Sequence, residues 1–394
     1  MSSGSIVYLS WKHLSYRPFQ TLTLVAAVAL TFYLPFALGV FTTEITSTLQ
    51  DRARSTPLLV GPKGSSIDLT LNCLYFTPQE LPPLPHSAFT RLAKHRFGTT
   101  IPIHARFHAG DAPIIGTSLD YFRHRQLEVM DGRMITRLGD CVIGAQLANE
   151  KDLKPGDKIT SSPGDAFDLA GVYPLRMRIT GVLAANRTPD DDAVFVDLKT
   201  AWIIEGLAHG HQDLADPAAA SAVRKREGNV IQANASVVEF NEVTESNMAS
   251  FHFHGNADHY PLSAAMLIPA NGKSRTLALA HYQAETATEQ IVIPVEAVAN
   301  LTETLFATHT MVRAAIRLFG LASFGLVVLV FLLSFRLRER EMLTYAKIGA
   351  SYLTIVVLKS AEVAIVLFAG IVIALGSLLA TKALAAELLP ILLH

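Results

Sequence analysis

Residues 21–41, TLTLVAAVALTFYLPFALGVF, carry no charged side chain, and their reading decides the fold. At ~1.5 Å of rise per residue, a helix of that length crosses a hydrocarbon core of ~30 Å. The run is too long for the apolar centre of a signal peptide, which is ~7–15 residues, and no small-x-small cleavage site follows it. An uncleaved membrane anchor fits better. Two further uncharged runs occupy residues 318–335 and 363–381. A buried core helix is the alternative for each, but such runs usually break within about 14 residues.

Composition agrees with this division of the chain. Half of the 394 residues are hydrophobic and 17% are charged, more apolar content than a water-facing fold of this length needs. The net charge of −1 says nothing for nucleic acid, and no run of Lys and Arg suggests a phosphate-binding face, so that class of partner is set aside. Cys73 and Cys141 are the only cysteines, too few for a disulfide scaffold or a four-thiolate zinc site. They either pair in an oxidising compartment or remain as two buried thiols.

Orientation follows from the basic residues in short flanks. Lys12 and Arg17 precede the first run, and Arg336, Arg338, Arg340 and Lys347 fill the loop between the second and third. Both flanks belong in the cytoplasm. Tyr8, Trp11, Tyr16 and Phe19 interleave with the N-terminal charges, as in a segment lying at headgroup level. Residues 42–311 are thereby outside. They read as a folded α+β domain, with β-like runs at 57–61, 100–107, 175–183, 193–198 and 264–270. Helical patterns occupy 144–152, 274–283 and a stretch from about 294. The Ala- and charge-rich segment 213–228 reads as a surface excursion or as a boundary between two subdomains.

The expected fold is therefore a membrane α-helical protein with three spans, or four, and a large extracytoplasmic α+β domain inserted between the first and second. In order, the parts are an interfacial segment (1–20), a first span (21–41), the external domain (42–311), a second span (312–335), a cytoplasmic loop (336–351), a third span (352–382) and a short apolar tail (383–394). The tail contains Pro390 and is too short to cross alone. Within the third span, Lys359 and Glu362 stand at i, i+3. They either pair on one face or snorkel to the interface.

Several segments, taken in order, resemble the FtsX-like and MacB-like permease subunits of ABC transporters. The opening YLSWKHLSYRPFQTLTLVAAVAL is similar to the family's amphipathic entry into its first span. DCVIGAQLANEKDLKPGDKI (140–159) and MRITGVLAANRTPDDDAVFVDLKTAW (177–202) are similar to strands of its external domain. RLREREMLTYAKIGAS (336–351) resembles its coupling segment. The resemblance implies contact with an ATPase subunit through Arg338, Glu339, Arg340, Glu341, Tyr345, Ile348, Gly349, Ala350 and Ser351. It also implies a homodimer or a heterodimer with a related permease, and an external adaptor or substrate-binding protein as a further partner. The expected location is the bacterial inner membrane. Members usually have four spans, so the C-terminal topology departs from the pattern.

The loop's charges alone fit either a rigid docking knob or a solvated turn. Gly349, placed to end one helix, and Ser351, placed to cap the next, favour the knob. No phosphate-binding motif is present; GPKGSS at 61–66 lacks the Gly-Lys-Ser/Thr ending. The chain is expected to bind no cofactor itself and to use ATP and magnesium through the ATPase. Few polar groups lie in the spans, which favours mechanical transmission over an aqueous pore. The alternatives are a membrane-anchored structural or regulatory protein acting on a periplasmic partner, and an anchored enzyme using a cysteine.

Twelve of the fourteen histidines fall in the external domain. His209 and His211 form HGH, and His252, His254 and His259 lie in FHFHGNADH beside Asp258. Alternate residues of a strand share a face, so each His-x-His pair directs two imidazoles the same way, and zinc takes neutral imidazole at ~2.0–2.1 Å. Scattered surface histidines are the commoner outcome of such clusters. The FHFHG stretch also resembles a branch of these permeases that works beside metal-uptake components, which implies metal transport or metal-linked efflux.

Overall fold

The structure is a computed structural model and describes residues 3–162, 174–211, 223–227, 230–233, 240–284, 287–306, 309–337 and 339–392. It divides into two compact units, Met1–Thr48 with Thr302–Leu393, and Leu49–Leu301.

The first unit is helical. Helix α1 (Ser3–Tyr16) ends at Arg17, and α2 (Pro18–Arg54) opens on Pro18, whose missing N–H is no loss at a first helical position. The helix runs on past the end of the apolar stretch, which closes at Val40. No Gly or Pro follows it before residue 57, and α2 continues to Arg54. After α10 (His309–Leu337) and α11 (Glu339–Lys347), α12 (Tyr352–Leu392) is likewise longer than expected. The supposed tail of 383 onward is its last three turns, because Ala-, Leu- and Glu-rich sequence favours helix and Pro390 stands too near the end to break it. Pro18–Val40 and Tyr352–Ala385 are long and apolar enough to cross a membrane; Arg317–Leu333 is apolar but shorter. Leu22, Phe36, Leu318, Phe319, Phe368 and Leu379 expose large apolar surface of the kind that lipid covers.

Within this unit α2 and α12 approach closely at Gly370, where a Cβ would stand 2.5 Å from the Val28 side chain. Lys359 and Glu362 are both buried and paired, with Nζ 2.9 and 3.1 Å from the two carboxylate oxygens, so neither snorkels. His13 Nε2 lies 4.0 Å from the same carboxylate.

The second unit is built on one sheet. Its strands are β1 (Leu58–Pro62), β3 (Gly98–Ala109), β4 (Ala112–Thr117), β5 (Val129–Gly132), β6 (Asp140–Ile143), β7 (Lys158–Thr160), β8 (Arg176–Leu183), β9 (Val194–Asp197), β15 (Ala264–Pro269) and β16 (Glu289–Val292). They run in the order β16-β1-β15-β3-β4-β9-β6-β8-β5, with β7 on β8, and only the β4–β9 and β6–β8 pairs are parallel. Both faces are covered. Ile115, Val142 and Phe195 enter one core, while their neighbours Ile114, Cys141, Ile143, Val194 and Val196 enter the opposite one. This explains why β9 reads as an apolar run and not as an alternating one.

Around the sheet lie α3 (Ser66–Tyr75), α4 (His86–Lys94), α5 (Leu119–Arg125), α6 (Ala145–Glu150), α7 (Leu198–Ile204), α8 (Gly272–Gln283) and α9 (Pro294–Phe306), which runs on past the unit's end. Side-chain caps fix several starts: Ser65 accepts from Asp68 N, Asp197 from Lys199 N and Asn271 from Ser274 N. Three small ribbons complete the unit: β2 (Leu84–Pro85) with β14 (Pro261–Leu262), β10 (Ala208–Gly210) with β13 (Phe251–Phe253), and β11 (Val223–Glu227) with β12 (Val230–Ala233). Of the excursion expected at 213–228, residues 213–222 and 228 lie outside the described residues, and Val223–Glu227 is strand β11.

Candidate functional site

The β10–β13 ribbon brings the two histidine clusters together. β10 follows α7, and β13 precedes β14, so the two strands bracket residues 211–250. They pair antiparallel with His209 opposite His252. Opposed residues share a face, and so do residues two apart, which places His209, His211, His252 and His254 on one side. The ring centroids are 4.9 Å apart for His209–His252, 4.7 Å for His209–His254 and 4.7 Å for His252–His254. His211 flanks them at 5.1 Å from His252 and 5.9 Å from His209. One ring nitrogen from each of His209, His252 and His254 falls within 4.8 Å of the others.

The opposite face holds the ribbon in place. Phe251 packs against the core between β6, β8 and α7, and its ring lies where a Cβ on Gly210 would be, 2.6 Å away, so position 210 accepts no side chain. Phe253 turns into a cleft of about 410 Å³ with Phe122, Leu138 and Met248. The His254 N–H donates to Leu207 O at 2.9 Å, and the Phe240 N–H to Gly210 O at 2.8 Å. His252 Nδ1 is 2.9 Å from Ser250 O. A carbonyl only accepts, so Nδ1 is the donor, and in the neutral tautomer this bond selects, Nε2 is the acceptor. That is the arrangement by which metal-ligating histidines are held in one tautomer. His259 does not join the group. Asn256 caps the short turn Ala257–His259, accepting from Asp258 N at 3.0 Å, and His259 and Asp258 stand exposed on it.

The residues expected to couple to an ATPase lie on and just after α11. Arg338, and the side chains of Glu339, Arg340 and Glu341, lie outside the described residues. Gly349 ends α11 in the left-handed region at φ 92°, and the Ala350 N–H donates back to Tyr345 O at 3.1 Å. Ser351 Oγ accepts from Thr354 N at 3.2 Å and so starts α12. Ile348 is 75% exposed at this tip, with Gly349 and Ser351 also exposed, while Tyr345 and Ala350 are half-buried.

A second polar cluster went unforeseen. Arg52, near the end of α2, donates to both Asp190 oxygens at 2.6 and 2.8 Å, to Tyr121 Oη at 3.0 Å and to Leu74 O at 2.9 Å. Tyr121 Oη donates to Asp190 Oδ1 at 2.7 Å, and all three side chains are buried. Burial alone would raise the Asp190 carboxyl, but the Arg52 guanidinium overrides it and holds the group below the usual carboxylate range. The cysteines do not meet chemically either. Both are free and buried in separate cores, and burial pushes both thiols up, so neither is a nucleophile near neutral pH.

The chain thus carries an α+β domain covered on both sheet faces and two helices long and apolar enough to cross a bilayer. Residues 22–237 match the MacB-like periplasmic core domain, and the chain belongs to that family, among the MacB/FtsX-like ABC transporter permeases. Two solved structures are similar to it. The periplasmic region of MacB from Actinobacillus actinomycetemcomitans is 12% identical, with 64% of this chain and 94% of that one covered and a TM-score of 0.32. The extracellular domain of the noncanonic ABC-type transporter YknZ from Gram-positive bacteria is 11% identical, with 60% and 98% covered and a TM-score of 0.32. No curated protein matches the chain.

Proposed function

We propose that this chain is the permease subunit of an ABC transporter of the FtsX/MacB type, in which ATP hydrolysis by a partner subunit drives motion of the external domain. The observation that carries the reading is the family match over residues 22–237 on a chain that also has two helices fit to span a bilayer. The basic residues at 12, 17, 336, 338, 340 and 347 assign the N-terminus and α11 to the cytoplasm and the sheet domain to the periplasm, with α10 as a further span. The ATPase docks on the tip after α11. Gly349 and Ser351 make that tip a tight, capped turn, and Ile348 offers an exposed apolar anchor of the sort an interface buries.

Two copies form the functional unit. The work delivered is mechanical, moving a substrate or a partner on the outer side, since the spans hold few polar groups besides the paired Lys359 and Glu362. The histidine ribbon adds a zinc link to this role. The test is copurification of the ATPase with the tagged full-length chain. Ile348→Asp together with Gly349→Val is expected to abolish it while the chain still inserts. Retention of the ATPase by this variant, or labelling from the outside of a cysteine placed at Arg340, would overturn the proposal.

A further inference from the structure

We propose that His209, His252 and His254 supply three ligands of a binding site for a borderline divalent cation, zinc first. The donor set selects the ion. Among the described residues the donors are three imidazoles, which suit zinc, copper, nickel or cobalt better than magnesium or calcium, which take oxygen.

The geometry is close to that needed. A tetrahedral ion bound at ~2.0–2.1 Å holds its nitrogens about 3.4 Å apart. The three ring nitrogens already lie within 4.8 Å. His252 and His254 are exposed, so small rotations of two surface rings close the remaining gap of about 1.4 Å without moving the backbone. The bond from His252 Nδ1 to Ser250 O supplies the second, independent observation, since it aims a lone pair outward from Nε2 before any ion arrives. A cluster held only by ring stacking is the competing account. Stacking needs no particular nitrogen to be left as an acceptor, and it gains little for rings that water reaches.

The ion would also tie β10 to β13, the strands that flank residues 211–250 in sequence. This inference deepens the permease reading by naming a ligand for the external domain, and only the bearing of that ligand on transport rests on the reading.

The experiment is calorimetric titration of the full-length chain, in detergent micelles and stripped with chelator, with zinc chloride. One zinc per chain is expected at micromolar or tighter affinity, with no binding of magnesium or calcium. His252→Ala with His254→Ala is expected to weaken binding at least ~100-fold. His254→Phe keeps a ring for stacking and removes the lone pair; it is expected to lose binding at an unchanged melting temperature. His211→Ala is expected to keep one zinc at an affinity within about fivefold, His211 being outside the close triad. No zinc binding at micromolar concentration, full binding by His254→Phe, or loss through His211→Ala as complete as through the double variant would overturn the assignment. The ATPase complex reports separately: its retention without zinc binding sinks the site and spares the permease reading, and the converse sinks the reading and spares the site.

Discussion

The external domain holds two polar clusters assembled from distant parts of the chain, and they differ in every respect that bears on function. The Arg52–Asp190–Tyr121 cluster is buried, built from a permanent charge pair, and directs its donors and acceptors at one another and at Leu74 O. The histidine ribbon is largely exposed, and its rings converge on a common point. The first arrangement fixes a joint between the end of α2 and the sheet domain, since a buried guanidinium must stay paired. The second brings three imidazoles within reach of one another at an accessible edge. Burial and the chemistry of the groups, more than the presence of polar residues, separate the two clusters.

The largest expected effect tests the joint. Asp190→Ala strands the Arg52 guanidinium and is expected to destabilise the domain by about 3–5 kcal/mol, whereas Arg52→Met with Asp190→Leu should recover most of that loss. Chemical unfolding followed by tryptophan fluorescence checks both, and equal damage from the single and double variants would break the contrast. The ribbon should behave oppositely. His252→Ala with His254→Ala is expected to change stability by less than about 0.5 kcal/mol without metal. Zinc at a hundred times its dissociation constant should stabilise the unaltered chain by about 2.7 kcal/mol and leave the double variant unmoved.

A third substitution probes the seat of the ribbon. Gly210→Val drives a side chain into the Phe251 ring and is expected to cost about 1–3 kcal/mol and to weaken zinc binding although no histidine is touched. The smallest effect concerns Asp192, half-buried beside the joint, whose carboxyl is pushed up to about 6 by burial, Glu150 and Asp191. A raised carboxyl stabilises the fold below its ordinary value of 3.8, and that contribution is lost as the pH rises through about 6. Asp192→Asn is expected to raise the melting temperature slightly at neutral pH and to flatten its dependence across that interval.

The two clusters were unequally legible. His209 with His211, and His252 with His254, announce themselves by His-x-His spacing, a local signal that survives in one dimension. Their union depends on β10 pairing with β13 across the excursion between them, which no spacing encodes. His259 shows the limit of proximity in sequence: five residues from His254, it is carried elsewhere by the Asn256-capped turn. Arg52 and Asp190 gave no sign, because an arginine in a helix tail and an aspartate in a run of three look like solvated charges until the sheet brings them together. The strands tell the same story. β9 and β15 were visible as dense apolar runs because both faces are buried, β8 by the alternation of exposed Arg176 and Arg178 with buried Met177 and Ile179, and β4, short and interrupted by Pro113 and Gly116, was not. The long apolar helices were visible, but their ends were not, since α2 and α12 continue through ordinary helix-forming residues where the lipid-matched stretch stops.

The ribbon also governs how this chain can change over generations. β10 and β13, which flank residues 211–250 in sequence, pair with each other and with no named strand of the main sheet. A change of length in the sequence before residue 240 touches no strand of the ten-stranded ladder, whereas one beyond it meets the bridge from Glu242 to Arg176 of β8. The three rings lie on β10, on β13 and just after it, so a descendant with a different intervening sequence would keep the proposed donor set.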